Sequence, residues 1–263
     1  MNDEIIGLIP AAGKGMRLAL PYPKELYPVI RDSRYKPIAQ FILESLTTMG
    51  LDHIVFVINE TKHQLIGYFG NGHRFGCHIS YVVQETSRQP NSSTSPGLAN
   101  ALDSAYYLTR GKQVCFGMAD TIIQPHDVFA KINEASTPDD DAILGLFTTE
   151  RPEKFGMVRL DEESRVLAIK DKPTETDLMD MWGCMIWRPR FTEHLHQCIH
   201  HRKMTDFAAI MNEAIGDGMR FRGVRMPDST YADLGTYEEV MELDARFRQR
   251  SKFELQANDQ GIE

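Results

Sequence analysis

The sequence predicts an α/β fold: a mixed, mostly parallel sheet flanked by helices, with a β-rich portion added toward the C-terminus. Three observations carry this. Short apolar runs alternate with amphipathic stretches as far as Thr149. The first apolar run passes straight into a loop of small residues with two glycines. Beyond Thr149 the rhythm gives way to closely spaced strand patterns.

Ile5 to Ile9 reads as the first strand. Pro37 to Met49 reads as a helix, with Pro37 near the first turn, where a missing N–H costs least. Ile54 to Ile58 is an apolar, β-branched run and so a buried strand. Thr61 to Phe69 suggests a helix and Ile79 to Gln84 a strand. Gly97 to Leu108 reads as one helix, because Leu98, Ala101, Leu102 and Ala105 form one stripe. Val114 to Met118 is a strand, Asp127 to Ala135 a helix and Ala142 to Phe147 a strand. Met157 to Leu160 and Val166 to Ile169 form a hairpin around Glu162-Glu163-Ser164, and Trp182 to Trp187 is a further strand. Helices follow over Phe191 to His200 and Asp206 to Ile215. Thr236 opens a last helix, and Glu239 three residues on completes a capping box. The polar stretch from Arg246 is expected to fray. No composition shift marks a linker, so residues 1–250 are expected to form one domain with parts 1–149 and 150–250, followed by a tail over 251–263.

Composition excludes several classes. The chain has 263 residues, 37 acidic and 29 basic, for a net charge of −8. An acidic body does not draw polyanions over a broad surface, so nucleic acid and anionic membrane are not expected as partners. No apolar run approaches the ~20 residues needed to span a bilayer. The start, Met-Asn-Asp-Glu, is acidic and lacks the basic and apolar regions of a secretory signal. Cys77, Cys115, Cys184 and Cys198 are scattered without a C-x-x-C pair, which fits reduced thiols in a cytoplasmic protein.

The densest chemistry lies in Ala11-Ala12-Gly13-Lys14-Gly15-Met16-Arg17-Leu18 and the following Pro23-Lys24-Glu25-Leu26. Gly13 and Gly15 let backbone N–H groups approach a phosphate without a Cβ in the way. Arg17 can fork two phosphate oxygens, and Lys24 adds a point charge. Together they suit a triphosphate over the C-terminal edge of the first strand. The string G-x-x-x-x-G-K-[ST] of a P-loop is absent, and Leu18 stands where a dinucleotide fingerprint needs its third glycine.

On these residues the chain resembles the nucleotidyltransferases that couple an NTP to a sugar 1-phosphate, the glucose-1-phosphate thymidylyl- and uridylyltransferases among them. The resemblance continues in order through Gly97-Leu98-Ala99-Asn100-Ala101, Gly117-Met118-Ala119-Asp120, Phe155-Gly156, Asp171-Lys172-Pro173, Met181-Trp182-Gly183 and Ala232-Asp233-Leu234-Gly235-Thr236. It implies a Rossmann-like fold of the nucleotide-diphospho-sugar transferase type. It also implies an enzyme dependent on Mg²⁺, with Asp120 and Asp233 as metal ligands. Arg17, Lys24, Asp120 and Lys172 are the catalytic set it implies, Lys24 acting on the α-phosphate and Lys172 on the sugar 1-phosphate. Ala11 through Arg17, with Gln84 and Gly97, become the nucleotide site. Phe155, Gly156, Asp171, Lys172, Trp182 and Gly183 become the acceptor site. The implied partners are dTTP, UTP or CTP and a sugar 1-phosphate, with a homo-oligomeric state left open.

Other readings stand beside these. Asp120 alone is equally a turn aspartate, and Asp233 equally part of the start of a helix. Lys172 reads also as a solvated strand-end lysine, and Gln84 as the polar end of an edge strand. Arg17 and Lys24 stand closer together than in the sugar-nucleotide branch, a spacing similar to that of the cytidylyltransferases, so the base stays open. A Ser- and Pro-rich stretch over Ser87 to Pro96 lengthens the path from Gln84 to Gly97 and suits a lid. Asp171 stands in place of a glutamate, which leaves the acceptor open. A non-catalytic nucleotide sensor is the other class of function, although such a protein could have lost Lys24, Asp120 or Asp233. His196 and His200 have metal-ligand spacing, but no third ligand or H-E-x-x-H pattern supports a site, and a solvated or partly packed helix face is the expected reading.

Overall fold

The computed structural model describes residues 4–15, 18, 20–31, 34–85, 97–242 and 245. In chain order the elements are β1 (Ile5–Pro10), β2 (Pro28–Arg31), β3 (Arg34–Pro37), α1 (Ile38–Thr48), β4 (His53–Asn59), α2 (His63–Phe69), β5 (His78–Gln84), α3 (Leu98–Asp103), α4 (Tyr106–Thr109), β6 (Gln113–Gly117), β7 (Thr121–Gln124), α5 (Val128–Glu134), β8 (Ala142–Thr148), β9 (Gly156–Leu160), β10 (Val166–Asp171), β11 (Asp180–Trp187), α6 (Pro189–His200), α7 (Phe207–Gly216), β12 (Phe221–Arg225) and β13 (Thr230–Asp233). Residues 237–242 are helical as well.

The central sheet is mixed. β5, β4, β1 and β6 run parallel side by side, with Leu8 opposite Val55 on one flank and Phe116 on the other. β11 lies antiparallel between β6 and β8, and β12 runs parallel to β8. The hairpin β9–β10 joins where Met181 faces Met157. Side chains alternate between two buried layers, as a strand covered on both faces requires. Ile6, Leu8, Val55, Val57, Phe116 and Trp187 pack toward α3, α6 and α7. Ile9, Ile54, Phe56, Ile58, Cys115 and Ile186 pack toward α1, α2 and α5.

A smaller cluster of Val29, Ile38, Phe41, Ile122, Leu234 and Val240 fixes the paired strands β7 and β13 against α1 and the last helix. All four cysteines are free thiols and buried. No helix among the described residues is long and apolar enough to cross a membrane.

The expected elements from β1 to α7 form, with two kinds of difference. The single helix expected over Gly97 to Leu108 is interrupted between α3 and α4. There the Ser104 hydroxyl donates to the Asn100 carbonyl at 2.8 Å, and Ala105 sits at φ −91°, ψ 6°; such back-bonding competes with the helix ladder. The strands β2, β3, β7, β12 and β13 come in addition. Each has four or five residues, too few for a clear alternation, and their partners are set by tertiary contact.

Candidate active site

The glycine loop leaves the C-terminal edge of the sheet between β1 and β4. The Ala11 N–H donates to the Val57 carbonyl at 2.7 Å, and Asn59 Nδ2 donates to the Ala12 carbonyl at 2.8 Å. Gly15 takes φ +62°, a left-handed turn that favours glycine. The chain returns to this edge as a single helical turn, Lys24–Leu26.

Lys24 reaches across to Asp120, and ammonium and carboxylate form an ion pair. Asp120 lies between β6 and β7, and Asp233 ends β13. The antiparallel register sets Asp233 opposite Thr121, and the Leu234 N–H donates to the Asp120 carbonyl at 3.0 Å. Two carboxylates far apart in sequence are thereby neighbours. Burial works against the charge on Lys24, but Asp120, followed by Glu25 and Asp233, outweighs it and holds the pKa above the ordinary lysine range. Lys24 therefore stays cationic at any physiological pH.

Behind this pair lies a second one. Lys62 Nζ meets Glu25 Oε1 at 2.6 Å, with side chains only 5% and 3% exposed. Burial raises the Glu25 carboxyl and depresses the Lys62 ammonium, each only partly countered by its partner. Glu25 Oε2 is buried without a hydrogen-bond partner among the described residues.

Two clefts flank the carboxylates, one lined by each. The first, about 160 Å³, is lined by Ala11, Ala12, Gly13, Lys24, Gln84, Gly97 and Asp120 among others. The second, about 280 Å³, is lined by Arg151, Lys154, Phe155, Tyr231, Asp233 and Glu239 among others. Tyr231 crosses Phe155 edge-on at 5.9 Å. Burial, then Asp233 and Asp120, push its hydroxyl well above the usual tyrosine range, so it stays a hydrogen-bond donor. Lys154 pairs with Glu239, whose second oxygen accepts the Gly235 and Thr236 N–H groups at 2.9 Å each. The Glu239 N–H donates to Thr236 Oγ1 at 3.3 Å, completing the expected capping box.

With this geometry the comparisons are specific. A family model described as nucleotidyl transferase matches residues 6–250. The chain belongs to the nucleotidyl transferase family. It is 29% identical over 174 residues to a glucose-1-phosphate thymidylyltransferase of Neisseria meningitidis, covering 64% of this chain and 55% of that protein. It is 24% identical over 243 residues to a UTP--glucose-1-phosphate uridylyltransferase of Synechocystis, covering 87% of this chain and 59% of that protein. The chain thus spans little more than half the length of these curated relatives. In fold it is similar to the structure of an apo UDP-glucose pyrophosphorylase, with a TM-score of 0.76 at 20% identity over 94% of this chain and 99% of the other.

The residues expected from sequence are placed as follows. Ala11, Ala12, Gly13, Lys24, Gln84, Gly97 and Asp120 share the first cleft, and Phe155 and Asp233 the second. Gln84 fits both of its readings, since it ends the edge strand β5 and is also buried in the cleft at 6% exposure. Lys14 is exposed beside Gly13. Asp171 and Lys172 line neither cleft. They stand exposed at the end of β10, where Lys172, at φ +44°, is tied to the second cleft only through its N–H to the Phe155 carbonyl at 2.9 Å. Gly156 and Gly183 serve close packing. A Cβ on Gly156 would meet Trp182 Nε1 at 2.3 Å, and one on Gly183 would meet the Tyr231 ring at 2.5 Å. Gly183 is also the extra residue where β11 slips its register against β8, which turns Trp182. Trp182 Nε1 is buried and finds no acceptor among the described residues. Met16, Arg17 and the stretch over Ser87 to Pro96 lie outside the described residues.

Sequence reasoning gave no individual role to Glu25, Lys62, Lys154 or Tyr231. Lys62 looks like a polar helix start, and its burial follows from contact with Glu25 across 37 positions. The available signal was Asn59-Glu60-Thr61-Lys62, a polar cluster ending a strand next to the glycine loop.

Proposed function

We propose that this chain transfers a nucleotidyl group from an NTP (dTTP, UTP or CTP) to a sugar 1-phosphate, giving a nucleotide sugar and pyrophosphate in a Mg²⁺-dependent reaction. The observation that carries the reading is the convergence of Lys24, Asp120 and Asp233, with one aspartate lining each cleft. In this reading residues 1–149 hold the nucleotide and residues 150–250 the acceptor.

An oxygen of the acceptor phosphate bonds to the α-phosphorus, and the bond from that phosphorus to the bridging oxygen of the β-phosphate breaks, releasing pyrophosphate. The attacking oxygen is already anionic, so no general base is required. Catalysis then rests on positioning and charge neutralisation. Backbone N–H groups of the glycine loop receive the triphosphate. Lys24, held cationic by its acidic neighbours, offsets charge on the α-phosphate. Two carboxylates on segments fixed by β7 and β13 are the hard oxygen donors that suit Mg²⁺, so Asp120 and Asp233 fit as its ligands. Bound there, Mg²⁺ supplies neutralisation of phosphate charge. Phe155 and Tyr231 line the second cleft, Trp182 packs against Gly156 beside Phe155, and Lys172 is the cation assigned to the acceptor phosphate. The retention of Lys24, Asp120 and Asp233 supports an enzyme over a nucleotide sensor.

The test is a product screen by mass: each NTP with a panel of sugar 1-phosphates and with other phosphorylated small molecules, in Mg²⁺. A nucleotide sugar formed with equimolar pyrophosphate is the expected result. Turnover confined to CTP and a non-sugar phosphate would move the assignment to a cytidylyltransferase. Tight NTP binding without release of pyrophosphate from any pair would make the chain a sensor.

A further inference from the structure

His196 and His200, one turn apart on α6, both face the carboxylate of Asp103 on α3. His196 Nδ1 lies 2.7 Å from Asp103 Oδ1, and His200 Nε2 lies 2.8 Å from Oδ2. The three donor atoms lie within 4.8 Å of one another. Asp103 is largely buried, its side chain 9% exposed. The Tyr106 ring stacks flat on His196 at 3.8 Å, and its hydroxyl donates to Glu193 at 2.9 Å, which fixes the imidazole plane. The sequence shows only the histidine pair; the fold supplies the third group from a different helix, so the partly packed face expected there also holds a three-residue cluster.

We propose that Asp103, His196 and His200 bind a divalent transition metal of the zinc class, at a site separate from the Asp120–Asp233 pair. Two imidazoles and one carboxylate are the donor set of Zn²⁺, whereas Mg²⁺ prefers oxygen. Histidines at i and i+4 present both rings on one helix face, a spacing that chelates zinc. At zinc–nitrogen and zinc–oxygen bonds of about 2.0–2.2 Å, tetrahedral donors stand about 3.3 Å apart. The three donor atoms, all within 4.8 Å of one another, reach that spacing by drawing in around a common centre. A ligating imidazole nitrogen must be unprotonated, so binding of the metal depends on pH. A cavity of about 490 Å³, lined by Gln84, Asn100, Asp103 and His200 among others, leaves room for water to complete the shell. The same cavity reaches Gln84, and α3 begins beside Gly97, so a metal joining α3 to α6 braces one wall of the first cleft.

His194 and Cys198 of α6 form a rival cluster with Glu213 of α7. It is more buried, and Cys198 Sγ already packs 3.3 Å from His194 Nε2 and 3.2 Å from Glu213 Oε2, which leaves less room for an ion and its water. The experiment uses the full chain, stripped with a chelator, dialysed into excess Mg²⁺ and titrated with ZnCl₂. Calorimetry, elemental analysis and the visible spectrum of the Co²⁺ form give the readouts. One zinc per chain is expected, with a rise in melting temperature on zinc addition. His200→Ala, at a half-exposed position, and Asp103→Asn should each weaken zinc at least tenfold and abolish that rise, while Cys198→Ser leaves both unchanged. Absence of zinc uptake by the wild-type chain, unchanged affinity in His200→Ala, or loss of binding in Cys198→Ser would each overturn the proposal.

Discussion

Replacing Lys62 with methionine should strand the Glu25 carboxylate in the interior. The pair is 2.6 Å apart and almost wholly removed from solvent, and Glu25 already lacks a partner for Oε2. Removing one member of a buried ion pair costs about 3–5 kcal/mol. Protonation of Glu25 limits the loss. Taking up a proton at pH 7 by a group with an unfolded pKa of about 4.3 costs about 3.7 kcal/mol, and at pH 5 about 1 kcal/mol. The sign follows from linkage. Below the unfolded value both states carry the proton and the penalty vanishes. As pH rises, the unfolded chain ionises first, so the variant loses stability up to the raised folded value. Urea denaturation of wild type and Lys62→Met at pH 5 and pH 7 measures this. A deficit of about 3–4 kcal/mol at pH 7 that shrinks by about 2 kcal/mol or more at pH 5 is expected. Adding Glu25→Gln should restore most of it, because the stranded charge is gone. A deficit below about 1 kcal/mol at pH 7, or one independent of pH, would refute the reasoning.

Four further outcomes are expected. Asp120→Ala should lower pyrophosphate release by orders of magnitude, about 10²-fold or more by analogy with loss of a charge-stabilising group, with an unchanged circular dichroism spectrum. Lys172→Ala should raise KM for the acceptor and spare NTP affinity in steady-state kinetics; collapse of NTP affinity alone would reverse the map. Trp182→Phe removes the unsatisfied N–H but also part of an indole packed against Phe116 and Phe207, so melting temperature should fall by a few degrees in a thermal melt. Asp206→Ala removes the side chain that accepts the Ala209 N–H at 2.6 Å at the start of α7, a loss of about 1 kcal/mol in chemical denaturation.

Much of the parallel half was legible because its strands are buried on both faces. Ile54 to Ile58 is an unbroken apolar run, and the glycine loop after Ile9 follows at once. The carboxylate pair was legible only as parts of an ordered motif series. What makes Asp120 and Asp233 neighbours is the pairing of β7 with β13, two four-residue strands whose register no local pattern encodes. Glu25 and Lys62 stayed hidden because a lysine at a helix start reads as solvated, and only the packed loop buries it. Asp103 looked like any polar helix residue until α3 met α6. Gly156 and Gly183 carried a motif signal, but their use is steric: they make room for Trp182 and Tyr231.

The central claim is that the glycine loop, Lys24 and the two aspartates surround one metal-loaded triphosphate. Crystals grown with Mn²⁺ and a non-hydrolysable dTTP analogue test it through the anomalous signal of the metal. The account predicts a manganese peak in coordination contact with both Asp120 and Asp233, with the phosphates against Gly13 and Lys24. A triphosphate seated elsewhere, or a peak touching neither carboxylate, would contradict it.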